Sequence, residues 1–275
     1  MDPAARDRTR ALALAAPAVA VFAAFWLLPM ARLLQVGASG PAGASAYLAV
    51  LTNPNYFRSL ASTVILSAAV TLVTLALSLV SGFFLQHNRF PGRGLLVSLM
   101  TLPLAFPGVV VGFLVILLVG RQGLVGDVTA WLFGEKLVFA YGMAGLFVGY
   151  LYFSIPRVIL TLMASIEKLD PALEEAARSL GASPWQVLRD VVLPALAPAI
   201  ISSGAICFAT SMGAFGTAFT LATQINVLPL TIYNEFTNYA NFPMAAALSI
   251  VLGLITWAAL AAARSLAGAG VAAAA

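Results

Sequence analysis

The chain has 275 residues, 61% of them apolar and 9% charged, with a mean hydropathy of +0.99. Soluble domains carry about 25% charged residues, so these values exclude a soluble protein and describe an integral membrane protein. The net charge is +4, Cys207 is the only cysteine and His87 the only histidine, which excludes an internal disulfide and a Cys/His metal cluster.

Crossing a hydrocarbon core of about 30 Å takes roughly 20 apolar residues. In chain order, six segments qualify: 11–34, 60–85, 95–120, 137–155, 191–223 and 244–263. All six are expected to be helices, which satisfy their own backbone groups in lipid, whereas barrel strands are shorter and alternate in polarity. The first follows a basic stretch but exceeds the usual signal-peptide h-region of about 7 to 15 residues, so it is read as a retained span. Internal prolines and glycines are expected to bend or interrupt the third and fifth spans. The expected organisation is an N-terminal stretch over 1–10, a six-helix domain over 11–266 with a polar hairpin at 170–190, and a flexible Gly/Ala-rich tail over 267–275.

Basic residues orient these spans. With both termini on one side, that side carries Arg6, Arg8, Arg10, Arg89, Arg93, Arg157, Lys168, Arg178, Arg189 and Arg264; the other carries Arg32, Arg58, Arg121 and Lys136. Ten against four favours cytoplasmic termini by the positive-inside rule. The same placement explains the positive net charge by bilayer orientation rather than by nucleic-acid binding. The external segment 223–243 has no basic residue and contains Asn226, Asn234, Glu235, Asn238 and Asn241. Two readings stay open for it: a gate or docking surface, and an ordinary solvated loop.

Between the fourth and fifth spans lies a polar island. Asp170 is a good N-cap and Pro171 a good first helical residue, with Glu174 and Glu175 near the positive end of the helix that follows. The spacing predicts a helix over 171–180, ended by Gly181 in the left-handed region. Ser183, Pro184 and Gln186 then restart a helix through a capping box. Two short helices joined by a glycine turn result, with Ala172, Ala176 and Ser179 or Leu180 on one face of the first and Trp185, Leu188 and Arg189 on the second. Small residues on an exposed helix permit close approach by another protein; an ordinary helical loop, or one lying on the membrane surface, is the alternative.

The pattern Glu175-Ala176-Ala177, Gly181, Val191 and Leu193-Pro194 resembles the EAA signature of permease subunits of binding-protein-dependent ABC importers. Its one departure is Val191, where the family usually has isoleucine. The resemblance implies an all-α integral membrane protein with six transmembrane helices in the type I ABC importer permease fold. It also implies a bacterial inner-membrane location with both termini cytoplasmic. Carried onto this chain, it assigns Glu174, Glu175, Ala176, Ala177, Gly181, Ser183, Pro184, Leu193 and Pro194 to coupling with an ATPase subunit. The partners implied are an ATPase dimer holding ATP and Mg, a second permease, an extracytoplasmic substrate-binding protein and membrane lipid. The permease itself is then non-catalytic and holds no cofactor or metal.

The run Leu102-Pro103-Leu104-Ala105-Phe106-Pro107-Gly108 resembles the proline-broken span of the polyamine, aminophosphonate, ferric iron and sulfate branches. Gly213-Ala214-Phe215-Gly216 resembles the sulfate and molybdate pattern, but Ala214 replaces a usual acidic residue. A polyamine- or aminophosphonate-type substrate is therefore expected. Polar groups inside a span are costly and are functional candidates by default. In the fifth span, Ser211, Met212, Phe215 and Thr217 occupy the place where relatives line their pathway, although helix packing is the competing role for small and hydroxylated residues.

No G-x-x-x-x-G-K-[ST] loop is present, so energy comes from elsewhere. A secondary transporter or channel of six helices is the alternative, weakened because the acidic residues fall outside the predicted apolar cores.

Overall fold

The computed structural model describes residues 14–221 and 225–273, with side chains through 268. The stretch 1–10 and position 223 therefore lie outside the described residues. The helices are α1 (Leu14–Gly37), α2 (Ala46–Thr52), α3 (Pro54–His87), α4 (Arg93–Thr101), α5 (Gly108–Val119), α6 (Leu124–Phe133), α7 (Met143–Ile166), α8 (Pro171–Ser179), α9 (Pro184–Met212), α10 (Gly216–Leu221), α11 (Leu228–Thr237) and α12 (Phe242–Ala273). Among the described residues, six stretches are long and apolar enough to cross a membrane: α1, α3, Gly108–Phe133, α7, α9 and Phe242–Gly268.

The interruption expected in the run 95–120 is present, and the membrane-length stretch there is Gly108–Phe133; two other boundaries differ from the sequence reading for local reasons. α4 ends in a 3-10 turn, Leu102–Ala105, and Phe106 and Pro107 are extended, with ψ of 131° and 150°, before α5 begins. A proline clashes with a helical residue before it, so Pro107 forces Phe106 out of the helix. The fourth span starts at Met143 and runs to Ile166 rather than ending at 155, because Pro156 is absorbed inside the helix. Arg157 thus sits within a span, not in the loop to which its charge was assigned. The last helix, α12, continues to Ala273 through most of the stretch read as a flexible tail.

Two helices contain π turns, and each precedes a proline. In α1 the Leu28 N–H bonds to the Ala23 carbonyl, just before Pro29; in α9 the Leu193 N–H bonds to the Leu188 carbonyl, just before Pro194. Proline has no N–H to donate and its ring crowds the carbonyl four residues back, and a wider turn accommodates both effects.

The chain divides into two compact units, Met1–Phe57 with Thr231–Val251 and Arg58–Leu230 with Leu252–Ala275. In the first, the segment read as an open loop contains helix α11. Its Glu235 is buried and accepts hydrogen bonds from the Tyr56 hydroxyl and the Asn241 side-chain amide, both at 2.8 Å. A buried carboxylate needs such partners to offset its lost hydration.

The second unit holds the larger core. Leu66 and Val70 of α3, Val115 and Val119 of α5, Leu146, Tyr150, Val158 and Leu162 of α7, Cys207 of α9 and Leu221 of α10 form one buried cluster. Glycine permits the tightest crossing, that of α5 with α10. A Cβ on Gly112 would lie 2.5 Å from the Thr220 Cβ, and one on Gly216 would lie 3.0 Å from the Val109 nitrogen. Small residues let membrane helices approach this closely.

Candidate functional site

Two features stand out: the hairpin formed by α8 and the start of α9, and a cleft among α5, α7, α9 and α10. In the hairpin, the Asp170 carboxylate accepts the Ala172 N–H at 3.0 Å, and α8 ends at Ser179. Gly181 has φ +84°, and the Ala182 N–H bonds back to the Ala177 carbonyl. Only glycine adopts this conformation without strain. Ser183 accepts the Gln186 N–H while the Gln186 side chain accepts the Ser183 N–H, a complete capping box. Local chemistry therefore sets the helix ends and the turn between them.

The hairpin has a seated face and a free one. Ala177, Ala182, Val187, Leu188, Val192 and Leu196 pack with Ile166 and Leu169 in one apolar cluster. Leu188, grouped with Trp185 and Arg189 in the sequence reading, belongs to this inner face. Turned outward are Ala172, Glu175, Ala176, Ser179, Gly181, Ser183 and Pro184, with Leu180 and Trp185 89% and 65% exposed. The two glutamates differ. Glu174 pairs with Arg178 at 2.8 Å, one turn away, whereas Glu175 is exposed and has no ion pair among the described residues. Leu193 is half-buried and Pro194 exposed where the π turn passes into the span.

The cleft is open on one side, has a volume of about 270 Å³ and is lined by Pro103, Leu104, Phe106, Gly108, Val111, Phe153, Arg157, Thr210, Ala214, Phe215, Gly216 and Thr217. Its floor is the break between α9 and α10. The Tyr150 hydroxyl bonds to the Ala214 carbonyl from α7, and the Thr217 hydroxyl donates to the Gly108 carbonyl at 2.9 Å. Of the four pathway candidates, Phe215 and Thr217 line the cleft. Ser211 and Met212 are fully buried and do not. Three other fifth-span hydroxyls turn back on their own helix, Ser202 to the Pro198 carbonyl, Ser203 to Ala199 and Thr210 to Ile206, while Thr220 also donates across to the Val109 carbonyl of α5. Such bonds satisfy a hydroxyl in an apolar setting without any external partner.

Residues 76–268 match the family of binding-protein-dependent transport system inner membrane components. The chain belongs to that family. This permease is 33% identical to the sulfate transport system permease protein CysT of Escherichia coli K12, over 82% of its own length and 81% of the relative's. It is 35% identical to the molybdenum transport system permease protein ModB of the same strain, over 64% and 76% respectively. In fold, it superimposes on a bacterial alginate ABC transporter chain with a TM-score of 0.81 at 20% identity, covering 95% of this chain and 96% of that one. A MetNI methionine transporter chain gives a TM-score of 0.60 at 16% identity, over 78% and 95%. The permease therefore has the type I ABC importer fold and is a multi-pass inner membrane protein. The relatives give no support to the polyamine or aminophosphonate substrate inferred from the third span.

Sequence reasoning missed Arg157 as a cleft residue because it ended the fourth span at 155. A signal was present: Val158, Ile159, Leu160, Leu162, Met163 and Ile166 continue the apolar pattern beyond Pro156, and proline is tolerated inside membrane helices.

Proposed function

We propose that the permease imports a tetrahedral oxyanion of the sulfate or molybdate type, driven by a dimer of separate ATPase subunits that grips the α8–α9 hairpin. ATP and Mg reside on those subunits. A second permease completes the pathway, and an extracytoplasmic binding protein delivers the anion. Both termini and the hairpin face the cytoplasm, in keeping with the excess of basic residues on that side.

The observation that carries this reading is the hairpin's division of labour. Its inner face is committed to the apolar cluster around Ile166 and Val192, while Leu180, Trp185 and the unpaired Glu175 remain outward. Exposed aromatic and aliphatic anchors beside an uncommitted charge suit a protein partner, since such residues dominate interface energetics. Gly181 and the two caps hold the helices at a fixed angle, so force applied to one reaches the span through Pro194. The kinship with sulfate and molybdenum permeases over most of the chain supports the solute class.

The test is reconstitution of the permease with its ATPase and binding protein in liposomes. ATP hydrolysis stimulated by sulfate- or molybdate-loaded binding protein, with tracer uptake, is the expected result. Hydrolysis indifferent to the loaded binding protein would overturn the solute class, and failure of the ATPase to co-purify would overturn the coupling role.

A further inference from the structure

Arg157 stands between the ends of α7, roughly 21 Å along the helix from Met143 and 14 Å from Ile166 at 1.5 Å per residue. Its side chain makes no ion pair or hydrogen bond among the described residues, although it lines the cleft. An ionisable group within a span is costly and persists where it faces a solvated cavity or a partner. The cleft's volume of about 270 Å³ far exceeds the roughly 10–15 Å³ that a single water requires, so it holds several waters or a small hydrated ion.

The rest of the lining sharpens what Arg157 does. Thr210 has committed its hydroxyl proton to the Ile206 and Cys207 carbonyls, and Thr217 to that of Gly108. Phe106, Phe153 and Phe215 supply aromatic walls. Arg157 is thus the one lining side chain with uncommitted donors among the described residues. Its guanidinium presents a planar fork of N–H groups matched to the paired oxygens of an oxyanion.

We propose that Arg157 is a way-station of the translocation pathway, pairing transiently with the oxyanion as it passes the cleft. This rests on the reading of the chain as an oxyanion importer and adds the residue that reads the solute's charge. A single donor group with no enclosing cage attracts an anion without trapping it, as conduction requires. A polycation would meet the same group as a barrier.

The experiment uses the full transporter in liposomes, comparing wild type with Arg157→Gln and Arg157→Lys. Three readouts are taken: co-purification of all subunits, ATP hydrolysis stimulated by loaded binding protein, and uptake of labelled sulfate or molybdate. Removing one charge-assisted contact from the pathway is expected to slow uptake roughly tenfold or more in Arg157→Gln. Assembly and stimulated hydrolysis persist, and Arg157→Lys recovers part of the uptake, because it restores the charge but not the planar fork. Undiminished uptake by Arg157→Gln would overturn the proposal. So would loss of assembly in both variants, which would assign Arg157 to subunit packing. If wild type itself shows no response to either anion, the oxyanion reading fails; if wild type transports and Arg157→Gln matches it, only the role of Arg157 fails.

Discussion

The Tyr150 hydroxyl donates its hydrogen bond to the backbone carbonyl of Ala214, joining the middle of α7 to the break between α9 and α10. Tyr150 is 1% exposed, and Phe215, the next residue after Ala214, lines the cleft. One side chain in the core therefore fixes the backbone of the cleft floor. Tyr150→Phe keeps the ring and deletes the bond, leaving a carbonyl without its partner at an expected cost of about 1–3 kcal/mol. Thermal unfolding of the purified complex should shift downward, and uptake should fall with subunit assembly intact. An unchanged melting curve would show that the bond does not hold the break.

Gly181 has φ +84° and open space where a Cβ would sit. Any loss on substitution is then backbone strain alone, about 1–2 kcal/mol for Gly181→Ala. The strain is confined to the turn, so insertion of the spans is expected to survive. Co-purification of the ATPase should weaken for Gly181→Ala and disappear for Gly181→Pro. Recovery of a full ATPase complement with Gly181→Pro would remove the turn from the coupling role.

Glu174 and Glu175 are neighbours with opposite commitments. Deleting the exposed Glu174–Arg178 pair by Glu174→Ala should cost about 0.3–0.5 kcal/mol and leave ATPase recruitment near wild type. Glu175→Arg reverses the charge of the uncommitted carboxylate and should reduce recruitment roughly tenfold or more, as expected for losing a charge-assisted contact at an interface. Pull-down titrations of the two variants distinguish these outcomes, and equal effects would contradict the separation.

The crossing of α5 with α10 admits no side chain at Gly112, where the nearest Thr220 atom lies 2.5 Å from the position of a Cβ. Gly112→Val forces these helices apart, at an expected cost of about 1–3 kcal/mol for overpacking. Thermal unfolding should register the loss, whereas Gly94→Ala in α4, with nothing near its Cβ, serves as the neutral comparison.

The hairpin was legible in the sequence because what sets its helix ends and turn is local. Asp170, Gly181, Ser183 and Gln186 act within a few residues of themselves, and their caps form as the spacing predicts. Glu235 was not legible. Its partner Tyr56 is 179 positions away, and no local pattern announces that a carboxylate in an amide-rich segment turns inward. Arg157 falls between these cases: one misplaced boundary at a proline moved a charge from a span to a loop. The interruption of the third span was expected from Pro103 and Pro107, but not the restart at Gly108, which depends on packing against α10.

The π turn at Leu188–Val192 inserts an extra residue between hairpin and span, and each residue of an α-helix turns the chain by about 100°. Trp185 on one side and Leu196 on the other are consequently out of phase by about that angle relative to an unbroken helix. Deleting one residue between Leu188 and Val192 would close the helix as unbroken α and keep this bearing, whereas tightening the π turn to α with all residues present would swing every hairpin side chain by about 100° around the membrane helix. The phase difference is thus a geometric setting of the molecule, as specific as any side chain and invisible to a point-mutation scan.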